Sequence, residues 1–142
     1  MIDGVLVTPL KYIPGEDGAV MHALRKSAPG HVGFGEAYFS EVHEGVTKKW
    51  RRHFRVTMNL VVVRGQVRFV LYDDRPESLT RGEFADICIG ECHYARLTVP
   101  PGLWMSFRGE GPGTSLILDI INEEHDPAEA ETCDNSAIVF SW

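Results

Sequence analysis

A chain of 142 residues with a formal net charge of −6 is long enough to bury a core, and we expect one domain over residues 1–142. Its acidic balance argues against nucleic-acid binding, and no apolar run approaches the roughly 20 residues of a membrane span. The N-terminus lacks the basic start and long apolar run of a signal peptide. The three cysteines follow no framework pattern, which favours a reducing, cytoplasmic setting.

Short runs rich in β-branched and aromatic residues recur along the chain, separated by Gly, Pro, Asn or Asp. The predicted strands cover residues 5–13, 19–25, 32–42, 48–56, 59–63, 66–72, 84–89, 94–99, 104–108 and 115–122. A short helical turn is predicted over 125–131, where Pro127 lies near the start. Many short strands at this spacing predict an all-β sandwich or barrel.

The predicted strand over residues 32–42 carries the first candidate site residues. Glu36, Tyr38 and Ser40 alternate along it and therefore share one face. On that face Tyr38 is a candidate proton donor or a stacking surface for a ligand. The alternative is that these side chains form the solvated face of an edge strand.

A strongly basic stretch, the cationic strip, follows over residues 48–75. It contains most of the chain's 14 basic residues, and its only acids are Asp73 and Asp74. Such a strip inside an acidic protein predicts an anionic ligand. The alternative is a hairpin whose charged face is simply in water. Within the strip, Arg64 and Gly65 are predicted to form a tight turn between two strands.

Period-2 alternation near the start of the cationic strip places Arg51, His53 and Arg55 on one strand face. Trp50 and Phe54 share the opposite face and are expected in the core. His53 is the candidate general base, since imidazole exchanges protons near neutral pH. The alternative is a histidine that is only hydrogen-bonded inside a polar interior.

Asp119 lies in an apolar strand, with Ile117 and Ile121 as its neighbours on the same face. A carboxylate on such a face needs a partner. Arg51 or His53, reaching across a barrel, is the expected partner. Asp119 would then be an acid or an orienting group, or alternatively one half of a structural ion pair.

Four segments together resemble a known family: KKWRRH at 48–53, VVVRGQVRFVLYDDRPES at 61–78, VPPGLWMSF at 99–107 and AIVFSW at 137–142. They are similar to the cupin family of nucleotide-sugar epimerases, typified by dTDP-4-dehydrorhamnose 3,5-epimerase. The resemblance covers residues 18–142. It implies an all-β cupin jelly-roll barrel, a homodimer, no metal or other cofactor, and a nucleotide-diphosphate sugar in the barrel.

The resemblance also assigns positions. It places the family's histidine base on Arg51, its second histidine on Met105 and its phosphate-binding arginine on Lys48. Its tyrosine acid falls at or near Asp119, and its orienting aspartate falls near residues 134–135. A metal is not expected, because one imidazole, that of His53, beside a guanidinium cannot hold a divalent ion.

The sequence thus predicts a metal-independent epimerase or related ketosugar isomerase acting on a dTDP-4-keto-6-deoxyhexose. The alternative function is a non-catalytic cupin that binds a nucleotide sugar or another anionic small molecule. The candidate catalytic residues are His53, Asp119 and Tyr38. The candidate substrate-binding residues are Lys48, Arg51, Arg55, Glu36 and Met105.

Overall fold

The computed structural model describes residues 1–142 and consists of β-strands with two 3-10 turns and no α-helix. The strands are β1 Leu6–Pro9, β2 Tyr12–Ile13, β3 Val20–Met21, β4 Glu36–Val42, β5 Trp50–His53, β6 Met58–Arg64, β7 Gln66–Tyr72, β8 Phe84–Gly90, β9 Ala95–Val99, β10 Trp104–Gly109, β11 Ser115–Ile121 and β12 Ala130–Cys133. The 3-10 turns are Pro127–Glu129 and Asn135–Ala137. The prediction of an all-β fold is confirmed. No helix in the structure has the length and apolar character needed to cross a membrane.

Two five-stranded antiparallel sheets face each other. The first sheet has the order β1-β9-β6-β11-β4, and the second has the order β12-β5-β10-β7-β8. The short strands β2 and β3 pair only with each other. Because side chains alternate along a strand, one face of each sheet turns toward the other sheet and builds the core between them. The buried core residues include Val42, Leu60, Leu97 and Ile117 from the first sheet and Phe69, Leu71, Ile87 and Met105 from the second.

The tight turn predicted at residues 64–65 is present, but the strands that it joins do not pair with each other. Gly65 adopts a φ of 79°, a left-handed conformation that glycine accepts without strain. After this turn the chain passes from the first sheet to the second. β6 pairs with β9 and β11, whereas β7 pairs with β8 and β10.

Several predicted boundaries are wrong. The strand expected over 48–56 ends at His53, so Phe54 leaves the sheet and is 49% exposed rather than in the core. The helical turn expected over 125–131 shortens to Pro127–Glu129, which Asp126 caps by accepting a hydrogen bond from the Ala128 backbone N–H. The chain then continues directly into β12, an unpredicted strand that pairs with β5.

The end of the chain is docked on the outer face of the second sheet, as its apolar composition predicts. Ile138, Phe140 and Trp142 pack against a small cluster formed by Trp50 and its neighbours. The Trp50 indole also donates a hydrogen bond to the Ile138 carbonyl at 3.2 Å. This packing fixes β5, which carries two of the candidate site residues.

Candidate active site

A cavity of about 400 Å³ opens between the two sheets and brings together most of the candidate residues. It is lined by side chains from both sheets and from the segment before β5: Tyr38, Ser40, Glu41, Lys48, Lys49, Arg51, His53, Met58, Met105, Phe107, Asp119 and Thr132. Met58, Met105 and Phe107 give it an apolar part, and the remaining residues are polar or charged. It therefore combines acid-base groups, cations and an apolar surface in one concave site.

His53, the last residue of β5, is held by Glu129. Its Nδ1 lies 2.6 Å from Glu129 Oε1, and the other carboxylate oxygen accepts the backbone N–H groups of Arg55 and Val56 at 2.7 and 2.9 Å. Burial alone would raise the pKa of Glu129. Hydrogen bonds from the Arg55 backbone, from His53 and from the Val56 backbone outweigh burial and lower the pKa to about 2.

The ionised Glu129 carboxylate has a direct consequence for His53. A carboxylate on Nδ1 favours the tautomer that carries its proton there, which leaves Nε2 as the proton-accepting nitrogen. Glu129 is 2% exposed, so it acts as a fixed buried orienting group. This pair is the geometry of a general base.

Asp119 is placed in the cavity, but its expected partner is wrong. Ser40, rather than Arg51 or His53, donates a hydrogen bond to Asp119 Oδ2 at 2.8 Å. The reason is strand pairing: β11 lies against β4, so the neighbouring strand supplies the donor, while His53 is occupied by Glu129. Burial raises the pKa of Asp119 to about 6, although the bond from Ser40 acts to lower it.

Tyr38 stands directly opposite Asp119 in the pairing of β4 with β11. Its phenol pKa is raised, first by burial and then by the Asp119 carboxylate, while Arg51 acts in the opposite direction. At neutral pH the phenol therefore keeps its proton. Tyr38 and His53 both line the cavity, so a proton donor and a proton acceptor face the same space.

Half of the eight basic residues in the cationic strip pair with acids and do not line the cavity. Arg52 pairs with Asp74 and Glu131, Arg68 with Asp86, and Arg75 with Asp73. Arg75 and Asp73 form their salt bridge within one turn, at 2.9 Å.

Two cations of the strip remain without an ion pair and line the cavity, namely Lys48 and Arg51. Lys49 also lines it, but forms a 3.3 Å salt bridge with Asp134 in which both side chains are at least 70% exposed. Such an exposed pair is weak and does not prevent Lys49 from contributing to the local positive field. The cavity can therefore receive an anionic group.

Two predicted substrate-binding residues do not line this cavity. Arg55 follows the end of β5 and pairs with Glu123 at 3.2 Å and Asp126 at 3.8 Å. Glu36 accepts a hydrogen bond from the His125 backbone at 2.9 Å. Met105, in contrast, lies in the cavity lining.

Sequence reasoning missed Glu129. The resemblance places an orienting aspartate near residues 134–135, but Asp134 lies at the surface with Lys49. The signal was an acidic group just after Pro127, in a segment that reads as a helical turn. It becomes recognisable only when β12 is paired with β5, which sets Ala130 opposite His53.

Comparison with known proteins gives three informative similarities, and no family model matches the chain. The crystal structure of a dTDP sugar isomerase from Desulfovibrio desulfuricans G20 is 36% identical, with a TM-score of 0.95 over 99% of this chain and 92% of that one. The spore coat polysaccharide biosynthesis protein SpsL of Bacillus subtilis is 29% identical over 100% of this chain and 97% of its own length. The probable low-salt glycan biosynthesis epimerase Agl13 of Haloferax volcanii is 31% identical over 84 residues, 58% of this chain and about half, 54%, of its own length.

Proposed function

Because the chain belongs to the cupin family of dTDP-sugar epimerases and isomerases, we propose that it is an enzyme acting on a dTDP-4-keto-6-deoxy sugar. The observation that carries the proposal is the His53–Glu129 pair, which faces a cavity containing the unpaired cations Lys48 and Arg51. The relatives named for dTDP-sugar isomerisation, glycan epimerisation and spore coat polysaccharide biosynthesis support a role in deoxysugar or polysaccharide biosynthesis.

The reaction begins with a proton on a carbon next to the sugar ketone, which the carbonyl acidifies. His53 Nε2 takes that proton, and the electron pair of the C–H bond forms a C=C bond while the carbonyl electrons move to oxygen. Arg51 or the Tyr38 hydroxyl stabilises the resulting enolate oxygen. Glu129 stabilises the imidazolium that forms on His53.

The fate of the enolate decides the product. Return of a proton to the same carbon from the opposite face, with Tyr38 as donor, inverts that carbon and gives an epimer. Transfer of the neighbouring hydroxyl proton and protonation of the former carbonyl carbon moves the ketone and gives an isomer. Both routes use the same base, and the 36% identical dTDP sugar isomerase favours the second.

We assign the substrate-binding residues from the charged and the apolar side chains that line the cavity. Lys48 and Arg51 bind the diphosphate, Arg51 through its bidentate guanidinium. Met58, Met105 and Phe107 supply the apolar surface for the deoxy sugar. Glu36 and Arg55, outside the cavity, are assigned to the nucleotide end of the substrate. Metal is not part of the proposal, because proton transfer beside a ketone needs only the groups already named.

We also propose that the protein is a homodimer. The hairpin of β2 and β3 exposes Tyr12, Ile13 and Val20 by 57, 46 and 59%, and the edge strand β4 exposes Phe39 by 62%. A second copy covering these surfaces would remove apolar area from water. Sedimentation analysis tests this, and a monomer at all concentrations would refute it. The unpaired cysteines support a cytoplasmic setting.

A second candidate function is binding without turnover. Met105 supports it, because it stands where the resemblance places the family's second histidine. Such a protein would use Lys48 and Arg51 to hold a nucleotide sugar or another anion, without any proton leaving the sugar.

One experiment separates these functions. The protein is incubated with dTDP-4-keto-6-deoxyglucose in deuterated water, and proton NMR follows the carbons beside the ketone. Enolisation predicts deuterium incorporation, and the position of the ketone and the ring stereochemistry then distinguish isomerase from epimerase. Binding without exchange would support the second function. If neither binding nor exchange occurs, the proposed substrate class is wrong.

A further inference from the structure

A second cavity lies on the other side of the first sheet, over β1 and β9. Its volume is about 200 Å³. It is lined by Thr8, Pro9, Leu10, Lys11, His22, Ala23, Leu24, Arg25, Ala28 and Arg96. On β9, Leu97 belongs to the core between the sheets, so its neighbour Arg96 points to the opposite, outer face. The sheet itself therefore separates this cavity from the candidate active site.

The charge of this cavity is unbalanced. Lys11, Arg25 and Arg96 line it, none of them forms a salt bridge, and no Asp or Glu is among the lining residues. In a protein of net charge −6 such a one-sided grouping is unusual. A monoanion would leave most of this positive charge uncompensated, whereas a phosphate dianion would offset more of it.

Arg96 differs from the surface arginines of this protein because its side chain is buried. It is 1% exposed, and its guanidinium donates only to neutral oxygens: Asn59 Oδ1 at 3.1 Å, the Ala23 carbonyl at 2.8 Å and the Pro29 carbonyl at 2.7 Å. Burial lowers its pKa with no carboxylate to oppose the effect. A guanidinium has five N–H groups, so three such bonds leave capacity for another acceptor.

The surrounding chain is well placed to hold a ligand. Segment 22–31 covers the outer face of β9 and is tied down at both ends, by the bond from Tyr94 to the His22 carbonyl at 2.7 Å and by the bond from Asn59 to the Gly30 carbonyl at 3.0 Å. Thr98 also donates to Asn59 at 2.6 Å, which fixes the amide between them. The cavity is thus built on an ordered polar network that does not depend on the exposed lysine and arginine side chains.

We propose that this cavity is a second anion site, which binds a phosphate group, free or carried by a small metabolite, through Arg96, Lys11 and Arg25. Binding there braces segment 22–31, which leads into β4 and its Tyr38. The site is distinct from the active-site cavity, so its failure would leave the proposed reaction untouched.

Thermal unfolding with inorganic phosphate, against chloride at equal ionic strength, tests the proposal. We expect phosphate at about 10 mM to raise the melting temperature by roughly 4 °C. The double variant Lys11→Ala/Arg25→Ala, which changes two exposed residues, should fold normally and lose this rise. The matched control Lys26→Ala, which removes a neighbouring charge outside the cavity lining, should keep it.

Two further arms complete the test. Arg51→Ala, in the other cavity, should also keep the phosphate effect, and losing it there would assign the anion to the active site and overturn the proposal. Glycerol 3-phosphate in place of phosphate distinguishes a metabolite-borne group from the free ion. No rise in the wild type, or an equal rise in the double variant, would also overturn it. Should the double variant melt below the wild type without phosphate, Arg25→Gln alone must still reduce the rise.

Discussion

At the scale of single residues, His53 and Glu129 operate as one unit because they are 2.6 Å apart and Glu129 is buried. We expect His53→Asn to reduce turnover by about 10²–10⁴-fold, the usual contribution of a general base, while dTDP binding stays within about twofold. Kinetic assay and calorimetric titration measure the two quantities. His125→Asn, a change at an exposed histidine outside the cavity, is the matched control and should keep full turnover. A large loss of dTDP affinity in His53→Asn would assign His53 to binding instead.

Arg51 is predicted to act through its charge. Because it is unpaired in the cavity, Arg51→Ala should weaken dTDP binding by about tenfold and reduce the dependence of binding on salt. Arg64→Ala removes an exposed arginine of the same strip outside the cavity and should change neither. Titrations at low and high ionic strength provide the comparison. Equal losses in the two variants would mean that only the overall charge of the strip matters.

A site residue could be predicted from sequence when its position depends only on the strand that carries it. Alternation within a single strand sufficed for each of three residues that line the cavity: Tyr38 on β4, and Arg51 and His53 on β5. Glu129 could not be found this way, since it contacts His53 across a sequence separation of 76 residues. The prediction that Arg55 shares the face of Arg51 and His53 was wrong for the same reason. Its backbone N–H is bound by Glu129 beyond the end of β5, where strand alternation no longer applies.

At the scale of elements, β11 carries a buried carboxylate between Ile117 and Ile121, and this should destabilise the fold at high pH. The pKa of Asp119 is raised from 3.8 to about 6, so its stabilising effect is complete below the unfolded value and is lost as the pH rises through 6. We expect Asp119→Asn to raise the free energy of unfolding by roughly 3 kcal/mol near pH 8, the equivalent of about two pKa units.

The same variant should show little gain near pH 4, where the folded protein already holds Asp119 protonated. Urea unfolding at the two pH values measures the difference. Ser40→Ala is the companion variant: it removes the bond that lowers the pKa of Asp119 and should therefore reduce stability at high pH. A gain in Asp119→Asn that is equal at both pH values would show that ionisation is not its cause.

Element positions were largely predictable, whereas their pairing was not. Residues 66–72 form a strand with the predicted bounds because their β-branched and aromatic residues fit a buried sheet. The sequence did not predict that the chain changes sheets at Gly65, because a tight turn can connect two strands of one sheet or two strands of different sheets equally well. β12 was missed because AETC has no apolar alternation, and only its pairing with β5 makes it a strand.

For the whole molecule, the distribution of charge decides which pH range the fold tolerates. The pKa of Glu129 is lowered from 4.5 to about 2, and those of Asp73 and Asp86 are lowered by hydrogen bonds from Arg75 and Arg68. A lowered carboxyl pKa contributes stability that is present above the unfolded value and is lost as the pH falls through the folded value. Asp119 has the opposite effect, since it adds stability as the pH falls, but only between about pH 6 and pH 4.

The free energy of unfolding should therefore rise by about 1 kcal/mol as the pH falls from 7 to 5, because Asp119 takes up its proton in the folded protein, and should fall steeply below about pH 4. The share of Glu129 in this fall is roughly 3 kcal/mol, from a shift of about 2.5 pKa units. Urea midpoints measured across this range give the curve. In Glu129→Gln the neutral amide cannot titrate, so the decline should be shallower, and the gap between wild type and variant should close toward pH 2. A gap of constant size at every pH would show that the loss comes from packing and hydrogen-bond geometry, and that the ionised carboxylate does not stabilise the fold.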